Sequence, residues 1–233
     1  MNGLFITGTD TEVGKTVVGC GLARELTRQH HAVAVRKPVE SGCSRRDGEL
    51  WPADGAALQR AAGEREPLET VTPLRLAHAL SPARAARLEG VSLCLYDLIA
   101  AARTGPPDDY YLVEGAGGFL SPLADDALNA DLAVALGLPV LLVVADRLGC
   151  INHALLTAEA IEHRGLRLAG VVVNAADGTA DDAAMDNRED LASRLGGAVI
   201  AHRHGREDRH AAERLVESLG GGAAGAPPIA DEA

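Results

Sequence analysis

Five short apolar runs, each ending in polar residues and each set far from the next, constrain the fold of this chain more than any other feature. They are "LFIT" (Leu4 to Thr7), "AVAV" (32–35), "YYLV" (110–113), "LLVVA" (141–145) and "GVVV" (170–173). A run that is apolar at every position suits a strand buried on both faces. The intervals between runs are too long for hairpins and long enough for helical crossovers. Thr16 to Gln29 carries apolar residues at three- and four-residue spacing and reads as a helix. Further helices are expected from near Asp54, in Pro-broken pieces from Ser81 to Arg103, and from Ile151 to His163. Glu40 to Pro52 reads as a polar loop, and the chain beyond Asn174 as helical, acidic from Asp181 to Asp190. The alternation predicts an α/β fold, a parallel sheet with right-handed crossovers and helices on both faces. Residues 1–219 are expected to form one domain, and 220–233, rich in Gly, Ala and Pro, a frayed tail.

In such sheets ligands bind at the carboxyl ends of the strands, so the polar residues there carry the function. After "LFIT" comes "GTDTEVGKT" (Gly8 to Thr16). A strand, a Gly-rich turn and a Gly-Lys-Thr helix start form the context of a phosphate-binding loop, although the spacing is one residue longer than G-x-x-x-x-G-K-[ST]. The segment Glu12, Val13, Gly14, Lys15, Thr16, Val17 is expected to cradle phosphates with its N–H groups, Lys15 to reach the β and γ phosphates, and Thr16 to offer its hydroxyl to Mg²⁺. The extra residue pushes Thr11 or Glu12 toward the side where an acceptor would sit. The chain is therefore expected to be P-loop NTPase-like. Partition-type and Min-type ATPases carry a second lysine early in this loop; alignment on Gly14-Lys15-Thr16 puts Asp10 in its place.

At the second strand end, "RKPVESG" offers Lys37 and Ser41, a second cation and a hydroxyl. At the third, "YYLVEGAGG" offers Glu114 as a Mg²⁺ ligand, with Gly117 and Gly118 permitting close approach of backbone to a ligand. Asp54, at a helix start, is a further metal candidate, with Asp47 and Glu49 as competitors. The formal net charge of −11 argues against nucleic acid or an anionic membrane as main partner, but not against a small anion bound locally. "MNGLFITG" has no secretory character, no run is long enough to span a bilayer, and Cys20, Cys43, Cys94 and Cys150 lie far apart without a C-x-x-C pair. A soluble cytoplasmic protein with reduced thiols is expected.

Taken in order along the chain, "GTDTEVGKT", "KPVESG", "VEGAGG", "LGCINH" (Leu148 to His153) and "LAGVVVN" (Leu168 to Asn174) resemble the dethiobiotin synthetase family, whose own loop has this longer spacing. The resemblance implies that 7,8-diaminononanoate takes up CO₂ as a carbamate, that ATP phosphorylates the carbamate, and that ring closure releases phosphate. It implies that Lys15 and Lys37 stabilise the transferring charge, that Thr11 and Ser41 bond the carbamate, and that Thr16, Asp54 and Glu114 hold Mg²⁺. Glu12 would lie beside the diamine, Asn174 would read the adenine, and Gly117 and Gly118 would line the substrate. It also implies a homodimer in which Leu148, Gly149, Cys150 and Asn152 complete the neighbour's site; physically, a helix start bearing an Asn suits a carboxylate.

Two departures stand out. "AVIAHRHGRED" (Ala198 to Asp208) lacks the family's proline turn near the base, and Ala83 replaces a frequent histidine at the substrate flank. Related amidoligases of the cobyrinate-diamide type remain an alternative, though they normally carry an added glutaminase domain. A partition-type switch is the other, with Asp10 and the acidic balance against it.

Overall fold

The computed structural model describes residues 1–175, 186–196, 199–203 and 209–220. In chain order its elements begin with β1 (Asn2–Gly8), α1 (Lys15–Arg28), β2 (Val33–Arg36), β3 (Val39–Glu40), β4 (Ser44–Arg46), β5 (Glu49–Trp51) and α2 (Ala53–Ala61). They continue with α3 (Leu68–Val71), β6 (Leu74–Arg75), α4 (Pro82–Glu89), α5 (Leu95–Arg103), β7 (Tyr110–Gly118), β8 (Pro122–Ala124) and β9 (Ala127–Leu128). The last are α6 (Asn129–Leu136), β10 (Val140–Ala145), α7 (Cys150–His163), β11 (Leu168–Ala175), α8 (Asn187–Leu195), β12 (Val199–Arg203) and α9 (Arg209–Gly220).

The five apolar runs become neighbours in one sheet of order β12-β11-β10-β1-β7-β2, with every pairing parallel. Side chains alternate across the central strand. Leu4 and Ile6 of β1 join Leu22 and Leu26 of α1, Leu58 of α2 and Leu215 of α9 on one face. Phe5 points the other way, among Leu98 of α5, Tyr111 of β7 and Leu132 of α6. Beyond them, α7 and α8 cover β10 and β11 through Ala154 and Leu191 against Leu142 and Val171. Each fully buried leucine contributes about 2 kcal/mol, which is why uninterrupted apolar runs end up in the middle of the sheet. From β1 the chain runs to β2 and β7 on one side and later to β10, β11 and β12 on the other. The strand order thus reverses beside β1, and a crevice opens at its carboxyl end.

The expected loop from Glu40 to Pro52 is more ordered than its polarity suggested. It contains the end of β3 and the antiparallel β4–β5 hairpin, turned by Asp47 (φ 51°) and Gly48 (φ 87°). Two consecutive left-handed residues make a tight hairpin turn of the Asp-Gly kind. The chain beyond Asn174, expected to be helical, contributes the edge strand β12, which pairs with β11 from Val171↔Val199 to Ala175↔Arg203. Its apolar stretch is short enough to be mistaken for part of a helix. Of the acidic segment, 181–185 lies outside the described residues, as do His204 and the expected tail beyond Gly220.

The edge strand β2 is pinned by a charge the sequence did not flag. Arg36, its last residue, is fully buried and pairs through both terminal nitrogens with Glu66 at 2.7 and 2.6 Å. It also donates to the carbonyl of Thr104, and its guanidinium lies 5.4 Å from the ring centre of Tyr111. The next residue is Lys37, so this anchor fixes the strand end that carries a candidate site residue. Glu66→Gln should destabilise the protein by about 3 kcal/mol or more, because the guanidinium is left buried without its counter-charge. Replacing both partners, as Arg36→Met with Glu66→Gln, should recover part of that loss in urea titrations. Equal losses from the single and the double variant would contradict the pairing.

Candidate active site

Gly8 ends β1 and the phosphate-type loop begins there. The amide of Thr9 donates to the carbonyl of Val143, and Asp10 Oδ1 accepts from the amide of Thr11 at 2.7 Å. Glu12 holds φ 57°, and Gly14 opens α1 with φ 93°. The loop is closed on itself: a Cβ on Gly8 would lie 2.6 Å from Val13 Cγ2, and Lys15 Nζ donates to the Asp10 carbonyl at 2.9 Å. Thr11 and Glu12 are exposed on its outer side, with Val17 on the exposed flank of α1. Gly117 (φ 77°) and Gly118 run beside the loop, and a Cβ on Gly118 would come within 3.3 Å of the Thr9 carbonyl.

At the mouth of this loop the ends of β2 and β7 and the starts of α1 and α2 assemble a largely buried charge cluster. Glu114 is 1% exposed; its Oε1 accepts from Thr16 Oγ1 at 2.9 Å and from Lys37 Nζ at 2.5 Å. Lys37 Nζ also donates to Asp54 Oδ2 at 3.1 Å, so its ammonium is lodged between two carboxylates. Burial works against the charge on Lys37, but Glu114 and Asp54 outweigh it and hold its pKa above the ordinary lysine range. Lys15 has no such neighbour in contact: burial, with the nearby Lys37 adding to it, brings its pKa down to about 8. Two neighbouring lysines beside a Gly-Lys-Thr helix start suit an oxygen-rich anion.

One polar atom in the cluster is left over. Glu114 Oε2 is buried and has no hydrogen-bond partner among the described residues. An unsatisfied buried carboxylate oxygen is costly, and a bound group would relieve it. Thr16, Asp54 and Glu114 together present hard oxygen donors from three elements, the kind of set that suits Mg²⁺ when phosphate oxygens and water fill the remaining positions. Among the described residues no group of three or more His, Cys, Asp and Glu side chains is poised for a metal. Asp47 and Glu49, the competing candidates, are exposed in the hairpin.

The other expected site residues fall around this centre. Asn174, fully buried at the end of β11, donates from Nδ2 to the Val13 carbonyl at 2.9 Å, and a Cβ on Gly14 would meet that nitrogen at 2.0 Å. It therefore clamps the phosphate loop, a contact that sequence reasoning did not foresee. Ser41 donates to the Leu80 carbonyl at 2.7 Å, beside the start of α4, where Ala83 is buried. The segment Leu148 to Asn152 is not gathered into the cluster; it lies at the end of β10, with Leu148 87% exposed and Asn152 exposed. Cys150 has its side chain buried in the core cluster with Ala154, and its amide donates to the Arg147 carbonyl.

Asn129 and Glu40 were missed. Asn129, fully buried, accepts from the Ala116 amide at 3.0 Å and donates to the carbonyls of Ala116 and Gly118, which holds the "EGAGG" strand in line. A Cβ on Gly115 would lie 2.7 Å from Asn129 Oδ1, so the glycine in the sequence marked this contact without naming the partner.

The family described as an AAA domain matches residues 2–203 of the chain. Over 175 residues the chain is 47% identical to an ATP-dependent dethiobiotin synthetase of Anaeromyxobacter dehalogenans (strain 2CP-C), an alignment covering 75% of this chain and 77% of that protein. In fold it is similar to the MinC:MinD cell division protein complex of Aquifex aeolicus, with a TM-score of 0.54, 15% identity and 99% of both chains covered. It is also similar to the signal recognition particle receptor FtsY of Elizabethkingia anophelis, with a TM-score of 0.50 and 15% identity over 94% of this chain and 65% of that one. Likeness at such low identity establishes the P-loop type of parallel sheet and says nothing of the activity. No helix among the described residues is long and apolar enough to cross a membrane.

With its pKa held down to about 8, Lys15 loses its proton as the pH rises through that value, well before an ordinary lysine. Affinity for a nucleoside triphosphate, measured without divalent cation, should fall as the pH rises from about 7 to about 9. Lys15→Gln should bind more weakly and lack that dependence. Titration calorimetry across this range decides it; a flat profile for the native protein would contradict the placement of Lys15 at the phosphates.

Proposed function

The chain belongs to the dethiobiotin synthetase family, and from that premise we propose that it converts 7,8-diaminononanoate, CO₂ and ATP into dethiobiotin, ADP and phosphate. The observation that carries this reading is the cluster of buried Lys15, Lys37 and Glu114 with half-exposed Asp54 at the mouth of an enlarged phosphate loop. Two cations beside such a loop suit a reaction in which a phosphoryl group passes between two anionic oxygens.

The steps follow from the bonds that must change. One substrate amine adds to the carbon of CO₂, forms the N–C bond and gives up a proton, leaving a carbamate. A carbamate oxygen attacks the γ-phosphorus, the bond to the bridging oxygen breaks, and ADP departs. The second amine then attacks the carbonyl carbon of the mixed anhydride. The C–O bond to phosphate breaks, the amine loses its proton, and the ureido ring closes.

Lys15 and Lys37 stabilise charge on the carbamate and on the migrating phosphoryl group. Thr11 and Ser41 hydrogen-bond the carbamate, and Glu12 lies on the diamine side of the loop. The N–H groups from Glu12 to Val17 hold the phosphates, Gly117 and Gly118 line the substrate, and Asn174 serves the adenine while clamping the loop. Thr16, Asp54 and Glu114 would hold Mg²⁺, which when bound neutralises charge on the β and γ phosphates. The orphaned Glu114 Oε2 supports that assignment.

The assembly is read as a homodimer in which Gly149 to Asn152, with Leu148, reach the partner's site and meet the substrate carboxylate. The outward Leu148, 87% exposed, supports a contact with a partner there. Gly149 (φ 88°) starts α7 without a side-chain cap, an arrangement suited to an anion.

ADP release should require both the diamine and bicarbonate; release with neither would favour a switch ATPase. Lys15→Gln should lower the rate of dethiobiotin formation by about 10²–10³ with the fold intact, as expected for loss of one contact to transferring charge. Near-native turnover in that variant would contradict the reading.

The shared site has its own test. Asn152→Asp repels the carboxylate and Lys15→Gln disables transfer, so each homodimer should be nearly inactive. After mixed refolding, one site of each mixed dimer collects both defects and the other none, restoring roughly a quarter of native activity for an isologous pair. Absent recovery, with subunit exchange verified by mass, would show that both segments serve one subunit's site.

A further inference from the structure

Glu40 has no place in the chemistry described so far, yet it is 5% exposed and committed at both oxygens. Oε1 accepts from the amide of Asp54 at 3.1 Å, and Oε2 from the amide of Gly55 at 2.9 Å. These are first-turn amides of α2, which have no partner inside the helix. Helices usually satisfy them with the residue just before the first turn. Here that residue is Pro52, which gives no side-chain cap, and the service comes instead from a strand residue fourteen positions away.

The contact is built tightly. A Cβ on Gly55 would lie 2.0 Å from Thr72 Oγ1 and 3.6 Å from Glu40 Oε2, so the glycine lets the helix start press against both. Glu40 is itself fixed: its carbonyl accepts from the Leu76 amide at 2.8 Å, where β3 runs beside β6. Burial raises the Glu40 pKa, a cost that the amide bonds from Gly55 and Asp54 offset. The same strand passage carries Lys37 three residues before Glu40 and Ser41 immediately after it. Asp54 is thereby held at two points, its amide by Glu40 and its carboxylate 3.1 Å from Lys37 Nζ.

We propose that Glu40 is a positioning residue for the metal side of the site: it holds the start of α2 so that the Asp54 carboxylate faces the cluster, and it ties that carboxylate to the strand bearing Lys37 and Ser41. The metal ligand and the carbamate-facing groups then move as one body. This rests on the reading of Asp54 as a Mg²⁺ ligand. A glutamine at position 40 keeps one acceptor oxygen in place of two and turns its NH₂ toward the other amide, so Glu40→Gln loosens the helix start while keeping the volume.

The probe is Mn²⁺, titrated by electron paramagnetic resonance into native protein saturated with ADP, and into Glu40→Gln, Asp54→Asn and the double variant. Glu40→Gln should weaken Mn²⁺ by about tenfold or more, the usual scale for a residue that orients a metal ligand. The double variant should bind no more weakly than Asp54→Asn alone, because Glu40 acts through Asp54. Native-like affinity in Glu40→Gln, with Asp54→Asn weakened, would overturn the inference and leave the metal assignment standing. Losses that simply add would also overturn it, since Glu40 would then act by another route. Unchanged affinity in Asp54→Asn would remove the metal assignment and the inference with it. If Glu40→Gln does not fold, Glu40→Asp keeps the charge but is one methylene too short to reach both amides, and the same comparisons apply.

Discussion

The ammonium of Lys37, lodged between Glu114 and Asp54, is the contact on which the rest of the site depends. Two strand ends and a helix start meet there, each bringing a charge, and neither Lys37 nor Glu114 could be buried alone. Removing a carboxylate would leave a buried cation, and removing the cation would leave two carboxylates facing each other. The sheet supplies the rigidity this requires. Arg36, locked by Glu66 beneath Tyr111, keeps the end of β2 from drifting, and Asn129 keeps the glycines of β7 in line. A charge cluster held this way is prepared for an anion before any anion arrives, the condition under which electrostatic stabilisation of a transferring group is strongest.

The phosphate loop is held from the opposite side. Asn174 reaches from β11 to the Val13 carbonyl and fills the space that any side chain at position 14 would need. The strand assigned to the base and the loop assigned to the phosphates are thus joined by one buried amide. On the proposed reading, a nucleotide that draws on Asn174 would also draw on the loop. Lys15 is buried and has no carboxylate in contact among the described residues, whereas Lys37 already has its counter-charges.

Much of this was legible in the residues. Runs such as "LLVVA" read as strands buried on both faces, and "GTDTEVGKT" after a strand and before a helix read as a phosphate loop rather than an incidental turn. Glu114 and Lys37 followed, because polar residues ending buried strands mark the functional rim. What stayed hidden depended on contacts between distant positions. Nothing in "KPVESG" says that Glu40 caps a helix beginning after Pro52, or that Arg36 finds Glu66. The β4–β5 hairpin was lost in a polar stretch with little alternation, and β12 was lost because its apolar stretch is brief. Nor does "LGCINH" say that the position of Cys150 within α7 places its thiol in the core. Sequence marks which residues are costly to bury; only the fold shows which partner makes each burial tolerable.

Turnover in bicarbonate labelled with heavy oxygen tests the phosphoryl acceptor most directly. If a carbamate oxygen attacks the γ-phosphorus and later leaves with it, each phosphate released carries one oxygen from bicarbonate, and dethiobiotin retains another in its ureido carbonyl. Mass analysis of the released phosphate reads this from a single reaction, corrected for exchange of the label with water. Phosphate bearing the label in step with product is the expected result. Phosphate whose new oxygen comes from water would contradict transfer to a carbamate and leave the cluster as the site of a hydrolytic ATPase.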